Sequence, residues 1–274
     1  MVARSAKDVQ TRAGLAAKLR ALGLGAGDVV CAHVAMGSLG LVIGGVRTVV
    51  EAILDAVGPG GTLMMPAYSG DLSDPAEWRH PPVDPAMIAE IKDAIPAFDP
   101  ARTPTRGMGA VAEYFRTVPG TRRSPHPQSS FCAFGPAAEA LVASHPYDNR
   151  FGPMSPLGRL CELEGKVLLL GAPFNTVSLF HLTQHSVSPI RRVSKSAPVV
   201  EGGVRHWVGY TDVEYPVDWF EDGVEHLLAA GLAVSAGIGN GCCVAFPAAP
   251  AVRTLIDWRK DTGRVPASNS KEAS

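Results

Sequence analysis

Two short apolar runs of strand type flanking a glycine-rich loop and a helical pattern constrain this chain more than any other feature. The run "DVVCAHV" (28–34) has strand character, "AMGSLGLVIGG" follows as a loop, and Val46, Val49, Val50, Ile53 and Leu54 then mark one helical face. Gly58, Pro59 and Gly60 stop that helix, and "GTLMMPAY" (61–68) supplies the second strand. A strand, helix, strand unit of this length places the two strands parallel. Strands that are apolar on both sides of the pleat belong in a sheet covered on both faces.

The rest of the chain repeats the alternation. Leu15, Leu19 and Leu22 stripe a helix over 7–22 that Gly23 and Gly25 halt. Helical patterns at 109–118, 136–144, 176–187, 218–230 and 248–260 alternate with strand patterns at 130–134, 166–171, 204–210 and 242–246. The fold class is therefore α/β, with helices covering a mostly buried sheet. Residues 69–108 carry prolines at 75, 81, 82, 85, 96, 100 and 104 with Trp78 and Phe98, an irregular stretch of the kind that serves function. No repeat or linker divides the chain, so residues 1–265 read as one domain and the small, polar 266–274 as a frayed tail.

Length, charge and cysteines narrow the function. A chain of 274 residues buries a sizeable core without staples. A formal charge of −1 and only short basic pairs argue against nucleic acid, which needs concentrated positive potential. Five cysteines, odd in number and without CxxC spacing, read as reduced thiols. No apolar stretch approaches the roughly 20 residues of a membrane span, and residues 1–13 lack an apolar signal core, so a cytoplasmic protein is expected.

The stretch "FNTVSLFHLTQHSV" (174–187) spaces His181 and His185 one helical turn apart. A zinc-protease HExxH would need a glutamate where Leu182 stands, and two histidines fall short of a catalytic zinc's three protein ligands. No metal is expected. Buried packing and a general base remain, because an imidazole exchanges protons near neutral pH. The loop at 33–45 could surround a phosphate with backbone N–H groups, or could be a structural turn; it matches neither a Walker loop nor GxGxxG. "RRSPHPQSS" (122–130) offers arginines suited to phosphate or to a solvated loop. "GYTDVEYPVDWFED" (209–222) gathers carboxylates and aromatics that suit a polycationic or sugar-like ligand, or an acidic helix start. The cysteines mostly lie in core-like runs and are poor nucleophile candidates.

Seven pieces in order give a resemblance over residues 14–260: "GDVVCAHVAMGSLGLVIGG", "AILDAVGPGGTLMMPAYS", "DPAEWRHPP", "PAFDPARTPTRGMGAVAEYFR", "RRSPHPQSSFCAFGP", "SPLGRLCELEGKVLLLG" and "SLFHL". The chain resembles the aminoglycoside N3-acetyltransferases of the antibiotic N-acetyltransferase family, which are unrelated in fold to the GNAT enzymes. The resemblance implies an α/β sandwich around a mixed central β-sheet flanked by helices, with acetyl-coenzyme A as donor and an aminoglycoside as acceptor. It implies that His33, Met36, Gly37, Ser38 and Leu39 hold the coenzyme, bordered by Arg123, Ser124 and His126. His181 matches the histidine of the family's "LHxAE", and Asp212 matches an acidic position eight residues before Phe220. The family's glutamate three residues after the histidine is Gln184 here, which hydrogen-bonds but supplies no charge.

The expected reaction is direct transfer in a ternary complex, with His181 as base, Asp212 orienting it, and Ser178 or the loop amides stabilising the oxyanion. Tyr68, Asp71, Glu77, Gln184, Asp212, Glu214 and Asp218 are the candidates to line the acceptor cleft. The competing readings are acetylation of another small amine, a non-catalytic protein that binds drug or coenzyme A, and a metal-dependent hydrolase.

Overall fold

The computed structural model describes residues 9–187 and 191–262. The tail expected at 266–274 lies outside them. In chain order the strands are β1 (Val9–Gln10), β2 (Val29–Val34), β3 (Leu41–Val42), β4 (Thr62–Pro66), β5 (Arg122–Arg123), β6 (Phe131–Phe134), β7 (Lys166–Leu170), β8 (Arg192–Glu201), β9 (Val204–Val213), β10 (Val234–Ile238) and β11 (Gly241–Pro247). The helices are α1 (Arg12–Ala21), α2 (Gly45–Val57), α3 (Ile88–Ala94), α4 (Gly109–Arg116), α5 (Ala138–Val142), α6 (Pro156–Glu162), α7 (Phe180–Gln184), α8 (Phe220–Ala229) and α9 (Ala248–Asp261).

Seven strands form the central sheet in the order β10-β11-β7-β2-β4-β6-β5. Strand β2 runs parallel to both neighbours, β4 and β7, and the outer strands join antiparallel, so the sheet is mixed as expected. Strict alternation splits the core. Val30, Ala32, Leu63, Met65, Cys132, Leu168, Leu170, Cys243 and Ala245 face the layer of α1, α2 and α4. Cys31, Met64, Phe131, Ala133, Val167, Leu169, Val244 and Phe246 face the layer built from α5 to α9. That two-sided burial is why these strands read as unbroken apolar runs, and each fully buried leucine or phenylalanine contributes about 1.5–3 kcal/mol.

Five expectations change. Helix α1 starts at Arg12, where the Thr11 side chain accepts from the Gly14 N–H, while Val9 and Gln10 pair in parallel with β3. The stretch 176–187 holds only the short α7 after a 3₁₀ turn at Phe174–Thr176. Strand β8 was hidden by Pro198, which sits opposite Trp207 in a two-stranded hairpin with β9. Strand β10 escaped because "VSAGI" is a short run of mainly small residues on the sheet edge. Residues 69–108 are 3₁₀ turns plus α3 rather than wholly irregular.

Candidate active site

The crossover from β2 goes through α2 to β4 on one side, whereas β7 lies on the other side of β2 and leads to α7 on the opposite face. Loops leaving the carboxyl ends of β2 and β7 diverge, which opens a crevice in open α/β sheets. The loop after β2 carries Met36, Gly37 and Ser38; β4 leads to Tyr68; β7 leads through Gly171 to Ser178 and His181. Candidate residues that are distant in sequence thus leave adjacent parallel strands at one end of the sheet.

His181 is nearly enclosed. Its ring stacks on Phe151 at 4.7 Å, meets Tyr215 and Phe220 each at 4.9 Å, and is 9 % exposed. Its Nδ1 is 3.1 Å from Gln184 Oε1, and the other end of that amide, Nε2, donates to the Pro216 carbonyl at 2.6 Å. A carbonyl only accepts, so Pro216 fixes which end of Gln184 faces the imidazole. Gln184 therefore presents an acceptor, Nδ1 carries the proton, and the lone pair sits on Nε2. Burial pushes the imidazole down to about 3; the Gln184 bond opposes this, while Arg150, His185 and His33 add to it. His181 is neutral at physiological pH.

Asp212 does not orient this imidazole, because a different partner holds it. The Asp212 carboxylate, 1 % exposed, lies 2.8 Å from Arg150 Nε. Its other oxygen takes the Val213 N–H at 2.8 Å. Gln184 supplies the orientation assigned to the acid, as an uncharged acceptor. His185 turns its Nε2 to the Tyr215 hydroxyl at 3.0 Å, so the two histidines of "HLTQH" have separate partners.

The Ser178 hydroxyl is 2.6 Å from the Tyr68 hydroxyl, and Tyr68 packs on Phe151 at 5.5 Å. This pair shares the aromatic wall that holds His181. His33, 5 % exposed, points from the end of β2 into the same face as Cys31, whose Sγ is 4.0 Å away, and burial pushes its pKa down to about 4. Cys31 is itself pushed up to about 12 by burial, so it carries no thiolate.

The β2–α2 loop leaves some of its backbone amides unbonded. Ser38 and Leu39 N–H groups are spent on the Ala35 and Met36 carbonyls, while no backbone carbonyl takes those of Met36 and Gly37 among the described residues. Gly37 is exposed, and a Cβ there would meet open space. Helix α2 is preceded by Gly44, with φ 84° and no capping side chain, so its first amides are also uncommitted to a cap. Glycines just beyond β7 and in the β10–β11 turn let the loop pack closely: a Cβ on Gly239 would stand 2.3 Å from the Leu39 carbonyl carbon, and one on Gly171 2.9 Å from Ser38 Cβ. Leu39 is fully buried, so it anchors the turn and does not line it.

The three residues expected to border the coenzyme are committed elsewhere. The Arg123 guanidinium donates to Ser130 Oγ at 2.8 Å, Ala67 O at 2.6 Å, Ser69 Oγ at 2.7 Å and the Thr103 carbonyl, and lies over Phe98. Its fork is filled, so it clamps two loops rather than a phosphate. Ser124 Oγ accepts from Phe131 N and bonds His145, while His126 Nδ1 accepts from the Gln128 and Ser129 amides; both residues are fully buried.

The acidic candidates are also partnered. Asp71 pairs with Arg106 at 3.4 Å, Glu77 with Lys195 at 2.5 Å, and Glu214 with Arg191 at 2.9 Å. Asp218 is exposed and acts electrostatically on Arg259. Sequence reasoning missed Arg150 and Phe151, and had Tyr215 only as one of the aromatics of 209–222. The signal for the first two was an arginine and an aromatic side by side in the Gly- and Pro-rich turn "DNRFGPMSP", with no helical stripe to explain them.

Comparison with known proteins identifies the family. Residues 31–260 match the family model described as aminoglycoside 3-N-acetyltransferase. The aminoglycoside N(3)-acetyltransferase VIII of Streptomyces fradiae is 40 % identical over 267 residues, 90 % of this chain and 91 % of that protein. The crystal structure of YokD from Bacillus subtilis superposes with a TM-score of 0.88 at 34 % identity, over 92 % of this chain and 95 % of that one. A structure titled AAC-IIIb binary with CoASH superposes with a TM-score of 0.83 at 34 % identity, over 93 % and 97 % of the two chains. With the family model spanning the sheet, the β2–α2 loop and the His181 crevice alike, this chain belongs to the aminoglycoside 3-N-acetyltransferase family of acyltransferases.

Proposed function

We propose that the chain is an acetyl-coenzyme A-dependent N-acetyltransferase that modifies the 3-amino group of the 2-deoxystreptamine ring of aminoglycosides, and so confers resistance to them. The observation that carries this reading is the His181 imidazole, held neutral with its Nε2 lone pair free where strands β2 and β7 diverge. The relatives' names supply the acceptor class, and the coenzyme complex of a structural neighbour supports the donor.

Acetyl-coenzyme A would supply the acetyl group as a thioester. Met36 and Gly37 amides and the open start of α2 are the groups that would hold its anionic portion. His181 Nε2 takes a proton from the attacking amine and is then the proton source for the departing sulfur, so the proton count closes. An imidazole of low pKa suffices, because the amine nitrogen becomes strongly acidic as it forms its new bond. Gln184 keeps the proton on Nδ1 throughout. The Tyr68–Ser178 hydroxyl pair offers a donor where negative charge develops on the carbonyl oxygen.

The test is thiol release from acetyl-coenzyme A with gentamicin as acceptor. The wild-type protein is expected to release one thiol per acetylated amine. Stoichiometric drug binding without thiol release would contradict the reading.

A further inference from the structure

The acidic residues that could receive a cationic acceptor already have basic partners within this chain, but the partnerships differ in kind. Asp71, Glu77 and Glu214 pair at the surface, with side-chain exposures of 60 %, 36 % and 49 %. Such pairs are worth little and yield to an incoming ligand. Asp212 is buried, and its partner Arg150 is 21 % exposed, so the arginine is the side of the pair that solvent reaches.

Arg150 sits in surroundings that would suit an ammonium. Its guanidinium carbon is 5.0 Å from the Phe151 ring centroid and 4.7 Å from that of Tyr215. A carboxylate with two aromatic faces attracts an organic cation by charge and by ring quadrupole. Both rings also pack directly against His181, so this box lies one ring away from the base. The fit to Asp212 is imperfect: Arg150 Nε and Asp212 Oδ2 are 2.8 Å apart, yet both are buried and neither forms a hydrogen bond among the described residues. The buried carboxylate thus retains an acceptor that a better-aimed donor would satisfy.

We infer that Arg150 occupies, from within the chain, the position where an acceptor's ammonium would meet Asp212, and that it is the specificity-determining residue of this site. A polycationic acceptor must displace Arg150 from Asp212 or bind beside a like charge. Gln184 reinforces the effect, because it brings no second carboxylate to the base. The inference rests on the acetyltransferase reading above, and it narrows the acceptor range that the family's name would suggest.

The test is steady-state thiol release with gentamicin for wild type, Arg150→Met and Arg150→Gln. The bond that His145 Nε2 donates to the Arg150 carbonyl survives both substitutions, and the glutamine offers Asp212 an N–H, so the carboxylate need not be left bare. Both variants are expected to lower the gentamicin KM by tenfold or more, with a steeper rise of KM in salt, because a charged contact has been gained. A KM that is unchanged or higher in a folded variant overturns the inference while leaving the acetyltransferase reading intact. Thiol release from neither wild type nor variants overturns both. In the wild-type protein, which needs no variant to fold, the Arg150 Nε–H resonance is expected to move on saturation with gentamicin. A resonance that stays in place also overturns the inference.

Discussion

Two buried histidine centres in this molecule use the same side chain for opposite purposes. His145 spends both nitrogens on structure: Nδ1 on Ser124 Oγ at 2.9 Å and Nε2 on the Arg150 carbonyl at 2.8 Å. Beside it, 4.7 Å between ring centroids, His126 accepts two backbone amides on Nδ1 and so ties the turn 126–129. His181 commits Nδ1 to Gln184, and its Nε2 has no hydrogen-bond partner among the described residues. Burial lowers the pKa at every one of these sites, so burial alone does not mark the reactive imidazole. A nitrogen without a partner does not mark it either, because His126 Nε2 has none among the described residues; His181 differs in that its proton sits on Nδ1 and Nε2 is a bare acceptor, whereas His126 accepts on Nδ1 and carries its proton on Nε2.

The two histidines differ most when each is cut back to alanine. His181→Ala is expected to cut kcat/KM about 10²–10⁴-fold, the range of a positioned base, with coenzyme A affinity nearly intact. His145→Ala is expected to leave turnover per folded molecule close to wild type and to cost about 1–3 kcal/mol in urea unfolding, because Ser124 and the Arg150 carbonyl lose a buried partner. Equal effects of the two substitutions on turnover would erase the distinction drawn here.

The second prediction treats the histidines as one set. Burial holds the folded-state pKa values of His33 and His145 at about 4 and of His181 at about 3, below the ordinary value of 6.5. Folding therefore excludes protons that the unfolded chain binds. The stability involved is fully present above pH 6.5 and is lost as pH falls toward the folded values. Between pH 7.5 and pH 5 the loss is about 2 kcal/mol for each histidine, measured as the unfolding midpoint at each pH. His145→Gln should flatten part of that slope without touching the pH profile of turnover.

A third, smaller effect sharpens the contrast at His181. Gln184→Glu places a carboxylate on Nδ1, which favours the imidazolium and raises the pKa of the base. The acid limb of the kcat/KM profile is expected to move to higher pH, while the Pro216 carbonyl loses its donor at a cost of about 1–3 kcal/mol in stability. An unmoved acid limb would show that Gln184 does not govern the proton on His181. The smallest effect is expected from Tyr68→Phe, which removes one hydrogen bond to Ser178 worth about 1 kcal/mol and slows turnover by tenfold or less.

What the sequence reveals follows the same division. The strand, helix, strand unit at 28–68 is legible because its residues are buried on both faces, and the glycines that bend the β2–α2 loop are visible as punctuation. His181 is legible from its place in "SLFHL". Strand β8 is not, because Pro198 speaks against a strand and only hairpin pairing with β9 overrides it. The charge pattern is where local reading fails most. Arg123 looks like a phosphate ligand until its fork is seen filled by carbonyls 20 to 56 residues away. Asp212 looks free until Arg150, 62 positions earlier in the chain, is seen beside it. Partners brought together by tertiary packing leave no periodicity in the sequence. Proton assignment on an imidazole depends on just such partners, here Gln184 and, through it, the Pro216 carbonyl.

The most direct measurement is the ¹⁵N spectrum of the His181 side chain in the free protein between pH 5 and 8. We expect one neutral tautomer with the proton on Nδ1 and a bare Nε2, unchanged across that interval. A proton found on Nε2, or a titration centred near the value of a free imidazole, would contradict the role given to this ring.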